Sequence, residues 1–225
     1  MTPLTRKQAR KTRLLVFIIA LQLGCLFSSF ARPSGPEILS RARDMIRAQD
    51  IAITGKLRTG PDQVPFQLIQ KNGVSTYVFS DPTETVSVKL GRTDVTLSGV
   101  ERSKTPIRGS VLTYDDLALR FLYWNRIEDL GDEKVRALPC WKLRLDASDK
   151  TSTYAFVKLW INQQSGAFIR AQAFNWEGVL AKQFDVVSTQ TIEGRYFLKQ
   201  MKIQVLGSVA KDEKTLSYLE IDKPK

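Results

Sequence analysis

The chain has 225 residues, 34 Lys and Arg, 23 Asp and Glu, two Cys and no His, with a formal net charge of +11. The absence of His excludes Ser-His-Asp catalysis, Cys-His catalysis and His-ligated metal sites. No other arrangement of residues indicates a reactive centre. We therefore predict a binding protein rather than an enzyme, without a cofactor or a metal.

Residues 1–31 have the composition of an export signal. Five basic residues precede an uncharged apolar run, Leu14–Phe30, and the small residues Ser29 and Ala31 predict cleavage after Ala31. Cleavage leaves 29 basic and 23 acidic residues, a net charge of +6. This charge suits a protein that meets anionic membranes, and it is modest beside the basic patches of nucleic-acid-binding proteins. We predict a signal peptide followed by a single periplasmic domain over 32–225, with no nucleic-acid partner.

Two other fates of the N-terminus remain open. Leu23-Gly24-Cys25 fits the end of a lipobox, although Gln22 stands where an aliphatic residue is usual. Lipidation of Cys25 would anchor the protein to a membrane, as would an uncleaved apolar run, which at about 17 residues barely spans a bilayer. Once Cys25 is removed or lipidated, Cys140 has no intramolecular partner. Because no His can activate its thiol, we interpret Cys140 as a packing residue.

Residues 34–49 are predicted to form an amphipathic helix. Ser34 and Glu37 have the spacing of a capping box, and apolar residues from Ile38 to Ile46 recur on one face. Such a helix either covers the core of a sheet or closes over a cavity as a lid. The sequence leaves both interpretations open.

From Ile51 onward the apolar period changes to two, which predicts five short strands separated by turn residues. The alternating sets are Ile51, Ile53 and Leu57; Val64, Phe66 and Leu68; Tyr77 and Phe79; Val86, Val88 and Leu90; and Val95 and Leu97. A second helix is predicted from Thr113 to Trp124. Thr113 can cap its first amides, and Asp115 and Asp116 suit the positive end of the helix dipole better than acid–base catalysis.

The rest of the chain is predicted to form antiparallel hairpins. The predicted elements are a strand and acidic turn over Arg126–Val135, then strands around Trp141–Leu145, Tyr154–Asn162, Ala167–Trp176, Val179–Val187, Tyr196, Met201–Val205 and Leu216–Leu219, the last pair joined by a turn at Lys211–Lys214. This gives ten to twelve strands, two helices and no parallel crossover. The predicted fold class is mainly β (α+β).

The order of these elements resembles the LolA-like family of outer-membrane lipoprotein-sorting proteins. The matching motifs are Leu112–Leu117, Cys140-Trp141-Lys142-Leu143, Val157–Ile161 and Trp176–Lys182. The resemblance covers most of residues 36–221. It implies a curved antiparallel sheet that forms an unclosed barrel, covered by one or two helices, whose concave face accepts lipoprotein or lipid acyl chains. It also implies envelope membranes or receptor proteins as partners.

The apolar face that would bind a hydrophobic ligand has eleven candidate residues. They are Phe66, Leu68, Val86, Val88, Leu143, Leu145, Val157, Leu159, Ile161, Met201 and Ile203. An ordinary core would need the same alternating residues, so the sequence alone does not separate the two roles. Trp160, Phe174 and Trp176 have polar neighbours, which indicates either a contact surface or a covering of the sheet.

The sequence bears on two other functional classes. An envelope sensor or protein-interaction module with a LolA-like fold, membrane-anchored if the N-terminus is uncleaved, is the alternative to a carrier. A hydrolase would need paired carboxylates, but Glu128-Asp129 and Asp132-Glu133 flank Gly131 and indicate a solvated acidic turn.

Overall fold

The computed structural model describes residues 32–192, 194–207 and 215–223. The predicted signal peptide and the predicted Lys211–Lys214 turn lie outside these ranges. No helix among the described residues is long and apolar enough to cross a membrane.

Twelve strands form one sheet. They are β1 (Ile51–Thr59), β2 (Asp62–Lys71), β3 (Val74–Phe79), β4 (Glu84–Leu90), β5 (Val95–Ser98), β6 (Arg126–Val135), β7 (Leu138–Asp146), β8 (Phe156–Asn162), β9 (Phe168–Phe174), β10 (Leu180–Ile192), β11 (Arg195–Val205) and β12 (Leu216–Ile221). Their order is β5-β4-β3-β2-β1-β12-β11-β10-β9-β8-β7-β6. Every neighbouring pair is antiparallel. The edge strands β5 and β6 are not paired with each other, so the predicted unclosed, mainly β fold is confirmed.

One face of the sheet is apolar because side chains alternate along each strand. Across five neighbouring strands, Leu143, Leu159, Ala171, Phe184 and Ile203 lie in register in one row. All five are buried. We call this the inner face of the sheet. It continues through β12 to β1 and β2, so a single apolar surface extends over most of the strands.

Helix α1 (Gly35–Arg47) lies on the inner face. The predicted capping box is present, because the Glu37 carboxylate accepts from the amide and the hydroxyl of Ser34 at 2.7 and 2.8 Å. Its apolar residues Ile38 and Leu39 are fully buried. A Cβ atom placed on Gly35 would lie 3.9 Å from the Cβ of Ile127 in β6, which shows how closely the start of α1 approaches the edge of the sheet.

A second covering element, which we call the cover segment, is residues 99–124 between β5 and β6. It contains α2 (Tyr114–Leu117) and a 3₁₀ turn, Arg120–Tyr123. The prediction of a continuous helix from Thr113 to Trp124 was wrong, because Leu119 adopts a left-handed conformation with φ 50° and ends the first turn. The capping prediction was correct, since the Thr113 hydroxyl accepts from the Asp116 amide at 3.1 Å.

Two further strand predictions need correction. The acidic residues around Gly131 do not form a turn, because Arg126–Val135 is a strand throughout, with an irregularity between Asp129 and Asp132 where the backbone takes positive φ. The irregularity lets a strand accommodate Gly131 at φ 87° without ending the pairing with β7. Strand β10 continues past Val187 to Ile192 through a similar shift in register.

Candidate ligand-binding face and polar cavity

All eleven predicted ligand-binding residues lie on the inner face, and all are buried. Ten of them belong to one core cluster, and Val88 belongs to a smaller cluster with Leu90 and Ala118. The cluster also contains Ile107, Leu112, Phe121 and Leu122 from the cover segment. The inner face is therefore closed in this structure, with helix α1 and the cover segment packed where a hydrophobic ligand would have to lie.

The three aromatic residues that the sequence left open between a contact surface and a covering of the sheet have different environments. Trp160 is 3% exposed, so of the two interpretations it fits a covering of the sheet. It packs with Val135 and Cys140 on the outer face of the sheet, beneath Lys142, whose Nζ lies 4.9 Å from the ring centroid. Phe174 stacks on a neighbouring aromatic ring of β8. Trp176 is 40% exposed in the β9–β10 turn.

Cys140 is buried and free among the described residues, as expected of a packing residue. Its Sγ lies 3.4 Å from the carbonyl oxygen of Leu138. Burial raises the pKa of the thiol, which keeps it in its unreactive protonated form.

We expect Cys140→Ser to leave ligand binding intact and to lower the free energy of unfolding by about 1–3 kcal/mol, because a hydroxyl is desolvated where a thiol packed against Trp160. Urea denaturation and a binding assay on the same sample measure both effects. Loss of binding with an unchanged denaturation midpoint would contradict the packing role.

The most unusual contact of the inner face is a buried ion pair. Lys182 precedes Phe184 by two residues in β10, so its side chain lies on the same face of the sheet. Its Nζ donates to Oδ2 of Asp116 at 2.6 Å. The two side chains are 10% and 1% exposed. The hydroxyl of Tyr154 donates to Oδ1 of the same carboxylate at 2.8 Å, and the amide of Thr113 donates to Oδ2 at 3.0 Å. Asp116 thus joins the cover segment to the sheet and to the β7–β8 loop.

The electrostatics of this cluster favour a neutral Tyr154. Burial raises the pKa of its hydroxyl well above the ordinary value, and the neighbouring charge of Asp116 raises it further. A neutral phenol can keep donating its proton to the carboxylate, whereas a phenolate would face a second negative charge. The cluster therefore holds the cover segment in place over the neutral pH range.

A cavity of about 460 Å³ lies beside this cluster. Five parts of the chain line it: the β4–β5 turn with the start of β5, the cover segment before α2, α2 itself, the 3₁₀ turn with its flanks, and the β7–β8 loop. Its wall carries the aromatic rings of Tyr123 and Trp124, hydroxyl groups, and charges of both signs. We call it the polar cavity. A second, shallower cavity near Glu84 and Glu101 is also lined mainly by polar groups.

Sequence reasoning found Asp116 as a helix-capping residue and missed its ion pair. The position of Lys182 in the sequence could have predicted a buried ion pair. Counting by two from Phe184 places Lys182 on the apolar face, and an inward lysine requires a buried acceptor. Which acceptor it finds depends on the path of the cover segment, which local periodicity does not specify.

Two other tyrosines should make the protein less stable at high pH. Burial raises the pKa of Tyr77 to about 12, and burial together with a hydrogen bond to Glu84 raises the pKa of Tyr114 to about 12. Both pKa values exceed that of a tyrosine in an unfolded chain, which is about 10. The contribution of these tyrosines to the free energy of unfolding is therefore complete below pH 10 and is lost as the pH rises towards 12. We expect the free energy of unfolding to fall by about 1.4 kcal/mol per pH unit for each tyrosine.

Denaturation midpoints measured between pH 9 and pH 11.5 will test this expectation. Tyr77→Phe removes one titrating group and should make the decline with pH shallower. An unchanged slope in this variant would show that Tyr77 ionises as readily in the folded protein as in the unfolded chain.

Within the described ranges, no group of three or more Asp, Glu and Cys side chains is placed to hold a metal ion. The polar groups of the site instead form ion pairs and hydrogen bonds with one another. Their arrangement suits the binding of a polar group beside an apolar core.

Comparisons with known proteins give one family match and several solved structures with a similar fold. A family model described as "Uncharacterized protein" matches residues 92–223. No curated protein sequence matches the chain. A LolA superfamily protein from Nitrosomonas europaea is similar in structure, with a TM-score of 0.62 and 18% sequence identity, covering 85% of this chain and 93% of that protein.

Two further structures are similar over nearly as much of the chain. A DUF1329 family protein from Desulfovibrio piger has a TM-score of 0.60 and 14% identity, over 84% of this chain and 90% of its own. A putative outer membrane lipoprotein-sorting protein domain from Vibrio parahaemolyticus has a TM-score of 0.59 and 13% identity, over 82% and 90%. The chain thus belongs to the family of the model that matches residues 92–223, and its fold is that of the LolA superfamily.

Proposed function

We propose that this protein is a periplasmic carrier that binds lipoprotein acyl chains, or a similar hydrophobic ligand, on the inner face of its sheet. The observation that carries the proposal is the way the inner face is covered. No second sheet packs on it in the described part of the chain; a single helix and the mostly irregular cover segment do so instead. The similar fold of a putative lipoprotein-sorting domain supports the same function.

The physical basis of binding is the apolar area that a displaced cover would expose. Each methylene group that leaves water contributes about 0.8 kcal/mol, so an acyl chain needs no polar chemistry to bind this face. The eleven predicted residues remain our proposed contacts. Because they are buried beneath the cover, binding requires α1 or the cover segment to move.

Helix α1 can move at one end more easily than at the other. Its C-terminal end is followed almost at once by β1, because Ala48, Gln49 and Asp50 are the only residues between them. Its N-terminal end contacts Ile127 of the edge strand β6, and the described residues just before it, 32–34, belong to no strand. Ligand entry is therefore proposed to occur where the N-terminal end of α1 separates from β6.

A disulfide between Gly35→Cys and Ile127→Cys tests this movement. The Cβ–Cβ distance of 3.9 Å suits a disulfide bond. In a Cys140→Ser background, we expect the oxidised protein to bind a fluorescent fatty acid at least tenfold more weakly than the same protein after reduction. The oxidised single variant Ile127→Cys is the matched control and should bind as the wild type does.

Two results would contradict the proposal in different ways. Equal binding before and after reduction would show that α1 is not the moving element. Absence of fatty-acid and lipopeptide binding by the wild type would reject the carrier function itself. Mass spectrometry of the native protein under non-denaturing conditions identifies any bound lipid and also reports the mature N-terminus, which we propose to be Arg32.

We also propose that the protein is not an enzyme. The buried Asp185 is paired with Arg170 at 2.7 Å. Asp116 and Lys182 are paired with each other, and Asp116 has four hydrogen-bonding contacts that include its own amide. A general acid or base must instead be free to exchange a proton with a substrate. These groups are better suited to hold the cover segment on the sheet.

A further inference from the structure

We infer that the polar cavity binds the zwitterionic head group of a phosphoethanolamine-type amphiphile, while its acyl chain lies on the adjoining inner face. This inference rests on the proposed function, because it needs the inner face to accept an acyl chain. It adds a second contact that would select among lipids by their head groups.

The charges around the cavity favour a ligand that carries both signs. Asp115 and Asp116 are already paired, with Arg120 and Lys182 respectively. The Asp115 contact is made at 2.7 Å through Nε of Arg120, so both Nη groups keep donors for another acceptor. An anionic phosphate is the acceptor that a guanidinium binds most effectively.

Carboxylates of the same cavity suit the ammonium group of the ligand. Asp94 and Asp149 both line the cavity, as does Lys104. Hydrogen bonds from Thr151 lower the pKa of Asp149, with a smaller contribution from Lys104, so Asp149 is ionised at neutral pH. A ligand with phosphate alone would meet these carboxylates unfavourably. A ligand that also carries an ammonium group would pair with them.

The aromatic rings of the cavity offer a further contact for an ammonium group. Tyr123 and Trp124 line the wall, and both are only partly buried. The Tyr123 ring already accepts one cation, since Cζ of Arg43 lies 5.6 Å from its centroid. Cations approach aromatic faces in this way because of the ring quadrupole. The wall therefore has the chemistry to hold a small ammonium group.

The cavity adjoins the apolar core at Phe121, whose ring forms the wall between the two. This residue lines the cavity and is 3% exposed, and its ring centroid lies 6.3 Å from that of Phe184 on the inner face. A head group in the cavity and a chain on the inner face would thus be neighbours along one molecule. The volume of about 460 Å³ lies within the range of small-molecule sites.

Binding of four probes tests the inference. They are lysophosphatidylethanolamine, lysophosphatidylglycerol, a fatty acid of the same chain length, and free phosphoethanolamine. We expect the wild type to bind the ethanolamine lipid at least fivefold more tightly than the glycerol lipid.

Arg120→Gln and Asp94→Asn should each weaken binding of the ethanolamine lipid about tenfold and leave fatty-acid binding within twofold of the wild type. Lys71→Gln, an exposed charge outside the cavity, is the control and should change neither.

The outcomes separate this inference from the proposed function. Fatty-acid binding without discrimination between the two lysolipids would overturn the head-group site and leave the carrier function standing. Equal loss of fatty-acid binding in Arg120→Gln would also overturn it, because the residue would then act through the fold. If only free phosphoethanolamine binds, the cavity site is supported and the carrier function fails. If no probe binds, both fail.

Discussion

Lys182→Met is expected to lower the free energy of unfolding by about 3–5 kcal/mol, because it leaves the carboxylate of Asp116 buried without its cation. The carboxylate keeps the hydrogen bonds from Tyr154 and Thr113. It loses the Lys182 ammonium group at 2.6 Å, its only ion-pair partner among the described residues. Urea denaturation of the variant and the wild type at pH 7 measures the difference.

The reason for this loss can be tested with a second substitution. Asp116→Asn in the Lys182→Met background removes the uncompensated charge, so the double variant should be more stable than Lys182→Met alone. Lys142→Met is the matched control. Its ion pair with Glu133 is more exposed, at 23% and 46%, and should contribute less than about 1 kcal/mol. Equal losses for Lys142→Met and Lys182→Met would contradict the importance that we assign to burial.

Leu159→Glu is the second substitution with a large expected effect. Leu159 is 0% exposed at the centre of the inner face, and its neighbours in register are Leu143 and Ala171. A carboxylate there is desolvated without a partner, so we expect a loss of at least about 4 kcal/mol or failure to fold. Leu159→Ala removes packing without adding charge and should cost about 2–5 kcal/mol.

This prediction distinguishes a packed inner face from a hydrated one. In a water-filled cavity the glutamate would keep part of its hydration, and Leu159→Glu would cost no more than Leu159→Ala. A folded Leu159→Glu variant with near-normal stability that no longer binds fatty acid would show that the inner face is open in solution. In a closed face, the variant unfolds before its binding can be measured.

Local patterns determined the elements of this protein well. Alternation with period two marks one side of each strand for burial, and this is why all eleven candidate residues are buried. Their role as ligand contacts stays a prediction. Capping chemistry acts over three residues, so Ser34 with Glu37 and Thr113 with Asp116 could be recognised without knowledge of the fold. The N-terminal export signal remains a prediction from composition.

Long-range geometry decided what local patterns could not specify. The pairing of β1 with β12 joins residues more than 150 positions apart, and it makes one sheet from strands that local patterns predicted only as successive hairpins. The environment of Trp160 could not be predicted, because alternation places it on the outer face but does not reveal Lys142 above its ring. The ion pair of Asp116 and Lys182 likewise depends on where the cover segment crosses the sheet. The sequence by itself determined which residues avoid water, whereas the tertiary structure decided which buried charges meet, because that depends on the relative placement of segments distant in the chain.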